Sequence, residues 1–361
     1  MNNNYVIIMA GGIGSRFWPM STTKYPKQFH DILGVGRTLI QQTFDRFNSI
    51  CPPENVFVVT NVDYRDQVME QLPMLKDHQV LCEPSRRNTA PCVAYAAYKI
   101  REINPAANLV IAPADHLILK EHEFIHIIDV ALKQASETSS LVTLGIKPSR
   151  PDTGYGYIQF TDTDLGVDPL VKKVKTFTEK PDLEIARQFL ESGDFYWNSG
   201  IFVWSLNSII TAYEKFLPDM AELFANGREH YNKDSEATFI NQVYQVCTNI
   251  SIDYAIMEKA KNVFVVLSDF GWSDLGTWGS LYTHLEKDSQ QNAAVGDNVL
   301  LYESKGNVVH VPKDKLVVIQ GLTDYIVVES EGTLLICKKQ DEQKIKQFVN
   351  DIKVNKGESL V

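Results

Sequence analysis

The sequence lacks the roughly eighteen consecutive apolar residues that a membrane helix needs; the apolar run near its start, Tyr5 to Ala10, holds six. That stretch also has no basic leader, so neither export nor membrane insertion is expected. An excess of positive charge is missing too, since 35 Lys and Arg face 45 Asp and Glu for a net charge of −10. A general nucleic-acid binder needs a net basic face to displace counterions, so no nucleic-acid partner is expected. Any phosphate site must be a local basic pocket. Close cysteine pairs are absent as well. Cys51, Cys82, Cys92, Cys247 and Cys337 are odd in number and form no CxxC, which reads as a reduced, cytoplasmic chain. There is no GxxxxGK[ST], GxSxG or HExxH, so P-loop hydrolysis, serine-elbow chemistry and zincin chemistry are not implied. His122 and His126 lie four apart on an expected helix, but without a third ligand nearby they read as an ordinary helical face.

What remains is ordinary soluble composition, 44% apolar and 22% charged over 361 residues, enough for a large core and a smaller appendage. Up to about residue 148, short apolar runs (5–10, 55–60, 79–83, 108–112, 141–146) alternate with helical patterns (38–49, 63–72, 89–103, 121–138). Such alternation predicts an α/β fold: a Rossmann-like mixed, mainly parallel sheet flanked by helices, with ligands beyond the carboxyl ends of the strands. Residues 151–285 read as an extension of the same domain, with strands near 154–160, 171–177, 200–205 and 263–267 and a helix near 182–192. Five short β-like stretches at roughly nine-residue spacing follow from 298 to 337, then a helix over 341–353. They suggest a small β-region, a short coiled solenoid being one form of it. The expected division is 1–288 and 289–361.

The segment Gly11-Gly12-Ile13-Gly14-Ser15-Arg16, directly after the first strand, and Lys27 beyond it combine close-approach glycines with cations. Amides of Ala10, Gly11, Gly12, Gly14 and Ser15 suit phosphate oxygens, Arg16 offers a bidentate fork, and Lys27 offers a point charge. A nicotinamide-binding fold would open its helix inside the glycine motif, whereas Pro19 and Pro26 here delay the first helix to about Thr38. Asp115 ends an expected strand in Ala112-Pro113-Ala114-Asp115-His116, and Asp274 lies between a strand and a helix. Either carboxylate suits Mg²⁺; Asp274 also reads as an N-cap residue.

The stretch AGGIGSRFWPMSTTKYPKQF resembles the signature of the sugar-1-phosphate nucleotidyltransferases, and most closely that of the mannose-1-phosphate guanylyltransferases. Arg86-Arg87-Asn88-Thr89-Ala90-Pro91, Glu179-Lys180-Pro181, Asn198-Ser199-Gly200 and Gly271-Trp272-Ser273-Asp274 resemble further motifs of that family. The resemblance implies joining of mannose 1-phosphate to GTP with release of pyrophosphate. It assigns Arg16, Lys27 and Lys180 to catalysis, Asn88, Thr89 and Ala90 to the base, and Tyr155, Gly156, Glu179, Lys180 and Asn198 to the sugar phosphate. Mg²⁺ falls to Asp115 and Asp274, and the C-terminal β-region, left-handed β-helical in short relatives, to a homodimer contact. Longer relatives continue into a phosphomannose isomerase domain, so isomerase activity is not expected of this chain. A different hexose 1-phosphate, or a catalytically silent binder of the nucleotide sugar, remains an alternative reading of the same residues.

Overall fold

The computed structural model describes residues 3–161 and 166–361. The chain forms two compact units, neither continuous in sequence: Met1–Gly11, Thr43–Ala114 and Ile118–Trp272 make the first, and Gly12–Gln42, Asp115–Leu117 and Ser273–Val361 the second.

The first unit is built on a nine-stranded sheet. Its strands are β1 (Asn4–Ala10), β2 (Val56–Asn61), β3 (Val80–Glu83), β4 (Asn108–Pro113), β5 (Leu141–Ile146), β6 (Gly156–Thr161), β7 (Val171–Glu179), β8 (Phe195–Ser205) and β9 (Val263–Ser268), in the order β3-β2-β1-β4-β8-β5-β9-β7-β6. Every residue of β2 and β5 is buried, the continuous apolar pattern of strands covered on both faces. β1 runs parallel to β2 and β4, with Val6 opposite Val56 and Val110.

One strand departs from the expected pattern. The strand anticipated at 200–205 begins at Phe195, and it runs antiparallel between β4 and β5. Its register shifts between Thr143 and Gly145, and a Cβ at Gly145 would fall 2.6 Å from Val265 Cγ2. The helix Thr89–Arg101 (α1) is buried from Ala90 to Ile100, sharing one apolar cluster with Phe57, Trp204, Tyr213 and Phe224.

The second unit carries the glycine loop and a coiled β-structure. Strands β10 (Ala293–Val295), β12 (Val308–His310) and β14 (Tyr325–Ser330) stack in parallel, β15 (Thr333–Lys338) closes that sheet antiparallel, and β11 (Asn298–Tyr302) pairs in parallel with β13 (Leu316–Gln320). Parallel partners one coil apart are the β-helical arrangement, and buried asparagines tie the coils. Asn307 Nδ2 donates to Asn292 Oδ1 (2.9 Å), and Asn307 Oδ1 accepts from Tyr325 N (2.8 Å). The helix Ile345–Lys356 (α2) packs Ile345, Phe348, Val349 and Ile352 into a cluster with Phe17, Trp18 and Trp278. No helix among the described residues is long and apolar enough to cross a membrane.

Candidate functional site

Of the loop glycines, Gly14 is the one its surroundings impose. Its φ is +69°, and an added Cβ would fall 2.5 Å from Lys27 Cβ. A Cβ at Gly12 would meet nothing within 4 Å, and one at Gly11 would make an ordinary 3.6 Å contact with Glu83 Oε2. Beyond Gly14 the chain makes a single 3₁₀ turn, Ser15–Phe17, anchored by buried Phe17 against Trp278 at 4.8 Å between ring centroids. Ser21 Oγ donates to Ile13 O, and Lys27 N donates to the same carbonyl at 3.4 Å, closing the loop on itself.

Lys27 is 3% exposed. Its Nζ lies 2.8 Å from Asp115 Oδ2 and donates to the carbonyls of Asp274 (2.9 Å) and Leu275 (3.0 Å). An ammonium has three N–H donors, so all three are spent on protein oxygens. Read from sequence as a charge offered to phosphate, Lys27 is here a bracket joining Asp115 to the 274–275 turn. Burial alone would raise the Asp115 carboxyl, but Lys27 and His116 hold it below its ordinary value. Asp274 Oδ1 accepts from Gly276 N at 3.0 Å, which fixes its side chain. Arg16, Lys27, Asp115 and Asp274 line one cavity of about 270 Å³, together with Gly14, Ser15, His116 and, from α2, Lys346. The Arg16 Nε donates to Gln343 Oε1 at 3.3 Å. The terminal helix, read from sequence only as an end to the chain, thus borders this cavity.

In the first unit, Asn88 caps α1 with φ +68°, its Oδ1 accepting from Thr89 N at 3.0 Å. Thr89 Oγ1 accepts from Ile252 N (2.9 Å). Ala90 is fully buried, its N–H on Ile250 O (3.1 Å) and its carbonyl on Tyr213 OH (2.7 Å). Of the three residues assigned to the base, Asn88 is exposed while Thr89 and Ala90 are tied into the fold, because the capping geometry turns them inward.

The sugar-phosphate candidates do come together. Gly156 on β6 is the register partner of Glu179 on β7, and a Cβ at Gly156 would collide with Glu179 Oε2. Among the described residues that oxygen is buried without a hydrogen-bond partner, whereas Oε1 pairs with Lys180. Lys180 has φ +49° and donates its backbone N–H to Tyr155 O at 3.2 Å. Asn198 Oδ1 accepts from Thr143 Oγ1 (2.9 Å) and Gly200 N (3.2 Å), and its Nδ2 donates to Asp253 Oδ1 (2.8 Å). Burial, reinforced by the Glu179 charge, pushes Asp253 up to about 6. Tyr155 stands edge-on to Trp197 and Trp272 at 5.0 and 5.2 Å, and the Arg150 guanidinium lies over Tyr155 and Trp197. Sequence reasoning missed Asp253, Arg150 and Trp197 as members of this cluster. Asp253 sits in a π-helical turn, 253–257, that has no sequence signature.

The sequence matches the family described as Nucleotidyl transferase over residues 5–291 and the MannoseP isomerase/GMP-like beta-helix domain over 297–352. It is 34% identical over 355 residues to the mannose-1-phosphate guanylyltransferase of Escherichia coli, covering 96% of this chain and 75% of that protein. It is 38% identical to the alginate biosynthesis protein AlgA of Pseudomonas aeruginosa, covering 96% of this chain and 71% of that one. A solved structure from Thermus thermophilus, described as a mannose-1-phosphate geranyltransferase, superposes with a TM-score of 0.87 at 27% identity, covering 97% of this chain and 99% of that one. With both matches in place across nearly the whole length, the chain belongs to the nucleotidyl transferase family and carries the MannoseP isomerase/GMP-like beta-helix domain after it.

Proposed function

We infer that the chain transfers GMP from GTP to α-D-mannose 1-phosphate, releasing pyrophosphate and forming GDP-mannose. The observation that carries this reading is the single cavity lined by Arg16, Asp115 and Asp274. The choice of guanylyl donor and mannosyl acceptor follows the names of the relatives.

The nucleophile, a phosphate oxygen, is already ionised near neutral pH, so the reaction needs alignment and charge neutralisation rather than a strong base. Arg16 presents a bidentate donor to the departing pyrophosphate. Backbone amides from Ala10 to Ser15 take the nucleotide phosphates, and the open space beside Gly12 lets a ligand come close to the backbone. Lys27 acts through Asp115, holding it ionised and oriented. Glu179 Oε2, buried and unpartnered, accepts from a sugar hydroxyl, and Asn198, oriented by Asp253, contributes its second amide N–H. Lys180, with its charge on an exposed stem, meets the 1-phosphate. Asn88, the exposed member of its stretch, meets the base.

Two carboxylates in one cavity are the hard oxygen donors that Mg²⁺ takes alongside substrate phosphates, so Asp115 and Asp274 fit that ion and would hold it. When bound, it would neutralise phosphate charge. A homodimer is supported by alternate exposed apolar residues: Leu300 and Val318, register partners on β11 and β13, with Leu316 and Tyr302 beside them.

The test is pyrophosphate release by the purified chain across four nucleoside triphosphates and several hexose 1-phosphates, with an Asp115→Asn/Asp274→Asn variant alongside. A maximum at GTP with mannose 1-phosphate, lost in the variant, is expected. A maximum at another pair would overturn the substrate assignment. Silence from protein that still binds GDP-mannose would indicate a regulatory binder.

A further inference from the structure

The cavity beside the glycine loop is short of cations that can reach a phosphate. Lys27 is buried with its three donors on Asp115, Asp274 and Leu275, so its charge is matched by the protein itself. Asp115 being matched by Lys27, Asp274 is the second carboxylate lining the cavity, and a triphosphate entering it brings several more negative charges at neutral pH. Arg16 alone does not offset them.

A second ammonium is present. Lys346 lines this cavity and also the adjoining one of about 350 Å³, which it shares with Ser15, Thr22 and Lys353. Its position follows from how α2 is anchored. Ile345, buried in the core cluster beside Phe17 and Trp278, fixes the start of the helix. Arg16 Nε then holds Gln343 just before it. Lys346, Val349, Asn350 and Lys353, at intervals of three and four, form the stripe of α2 that faces the loop. Lys346 is exposed, and none of the described residues gives it a hydrogen bond or ion pair, whereas its neighbour Lys344 is paired with Asp341 at 3.0 Å.

The geometry points to Lys346 as a phosphate-contacting residue of the nucleotidyl-transfer site, meeting the β- and γ-phosphates of the nucleotide and the pyrophosphate that leaves. The assignment rests on the nucleotidyl-transfer reading of this cavity. It makes the C-terminal helix part of the substrate site. A lysine on a long stem suits the task, because it can follow the pyrophosphate outward where the buried Lys27 cannot.

The experiment titrates the full-length chain with inorganic pyrophosphate by calorimetry, and in parallel measures KM for GTP and for mannose 1-phosphate. Variants are Lys346→Ala, Lys346→Arg and, as a control with the same change in net charge, Lys344→Ala. One lost charge-assisted hydrogen bond corresponds to about a tenfold weakening. The expected result is about tenfold for pyrophosphate and for KM of GTP in Lys346→Ala, with KM of mannose 1-phosphate held within about twofold, Lys346→Arg restoring most of the loss and Lys344→Ala near wild type. Unchanged pyrophosphate affinity in Lys346→Ala, or an equal loss in Lys344→Ala, would overturn the assignment. Failure of the wild-type chain to bind pyrophosphate would overturn it as well. If wild type binds pyrophosphate with this pattern of variants but makes no nucleotide sugar, the guanylyl-transfer reading falls and Lys346 keeps its role as a phosphate contact.

Discussion

Around the glycine loop, the carboxylate of Asp115 is matched by a buried ammonium that has no donor left over. Around β6 and β7, an oxygen of Glu179 lies buried with no partner among the described residues, and the nearby carboxyl of Asp253 is pushed up to about 6. The two regions suit ligands of different chemistry. A phosphate brings its own charge, and a region whose buried charges are spent on rigidity, with the half-buried Arg16 and the exposed Lys346 beside them, suits one. A sugar brings neutral hydroxyl donors, and a buried acceptor already stripped of water discriminates among them more sharply than a solvated one.

The largest expected effect breaks the first region. Lys27→Met removes the partner of Asp115 and the clamp on the 274–275 turn together. Loss of one member of a buried ion pair costs about 3–5 kcal/mol of stability, and misplaced charge at the reacting phosphates costs about two to three orders of magnitude in rate. Thermal unfolding and kcat with GTP and mannose 1-phosphate measure the two separately. Because the lysine is gripped at three points inside the fold, Lys27→Arg should rescue neither; recovery of rate would mean that Lys27 acts as a charge alone.

The second region breaks more selectively. Glu179→Gln keeps the shape but weakens the acceptor and its pairing with Lys180. KM for the sugar phosphate should rise about tenfold or more while KM for GTP moves less than about twofold. Equal changes in both would show that Glu179 is structural rather than a sugar contact. Gly156→Ala should reproduce the sugar-phosphate defect, since its Cβ would displace the same carboxylate.

The comparison also marks what the sequence could carry. The first four parallel strands were legible because each is a short apolar run covered on both faces, and Asp115 and Thr89 were legible because one follows a strand and the other opens a helix, whereas Glu179 and Asn198, inside β7 and β8, were reached through the family resemblance. Strand direction was not, since nothing local in Phe195–Ser205 says that it inserts antiparallel between β4 and β5. The three-residue strand Ala293–Val295 was too short to stand out. Nor could sequence say how each motif residue spends its hydrogen bonds. Ala90 and Lys27 sit in strong motifs yet are committed to the fold, while Lys346 and Asp253 reach the candidate pockets from segments with no motif at all.

Asp253 offers the finest test of the contrast, because its cost and its use have opposite signs. Its carboxyl ionises at about 6 in the folded chain, against an ordinary aspartate value of about 3.8. A raised carboxyl binds its proton more tightly in the folded state. Stability is therefore complete below about pH 4, declines between about pH 4 and 6, and stays lowered at higher pH. Two pKa units correspond to about 3 kcal/mol at pH 7.5. Asp253→Asn removes that cost and can still accept from Asn198 Nδ2, so the variant should unfold at a higher temperature than wild type at pH 7.5 and at about the same temperature at pH 4. Its KM for the sugar phosphate should rise a few-fold, because the charge that orients Asn198 is gone. If Asp253→Asn proves less stable than wild type at pH 7.5, the carboxylate is stabilising after all, and the cluster around Glu179 matches its charges as fully as the glycine loop does.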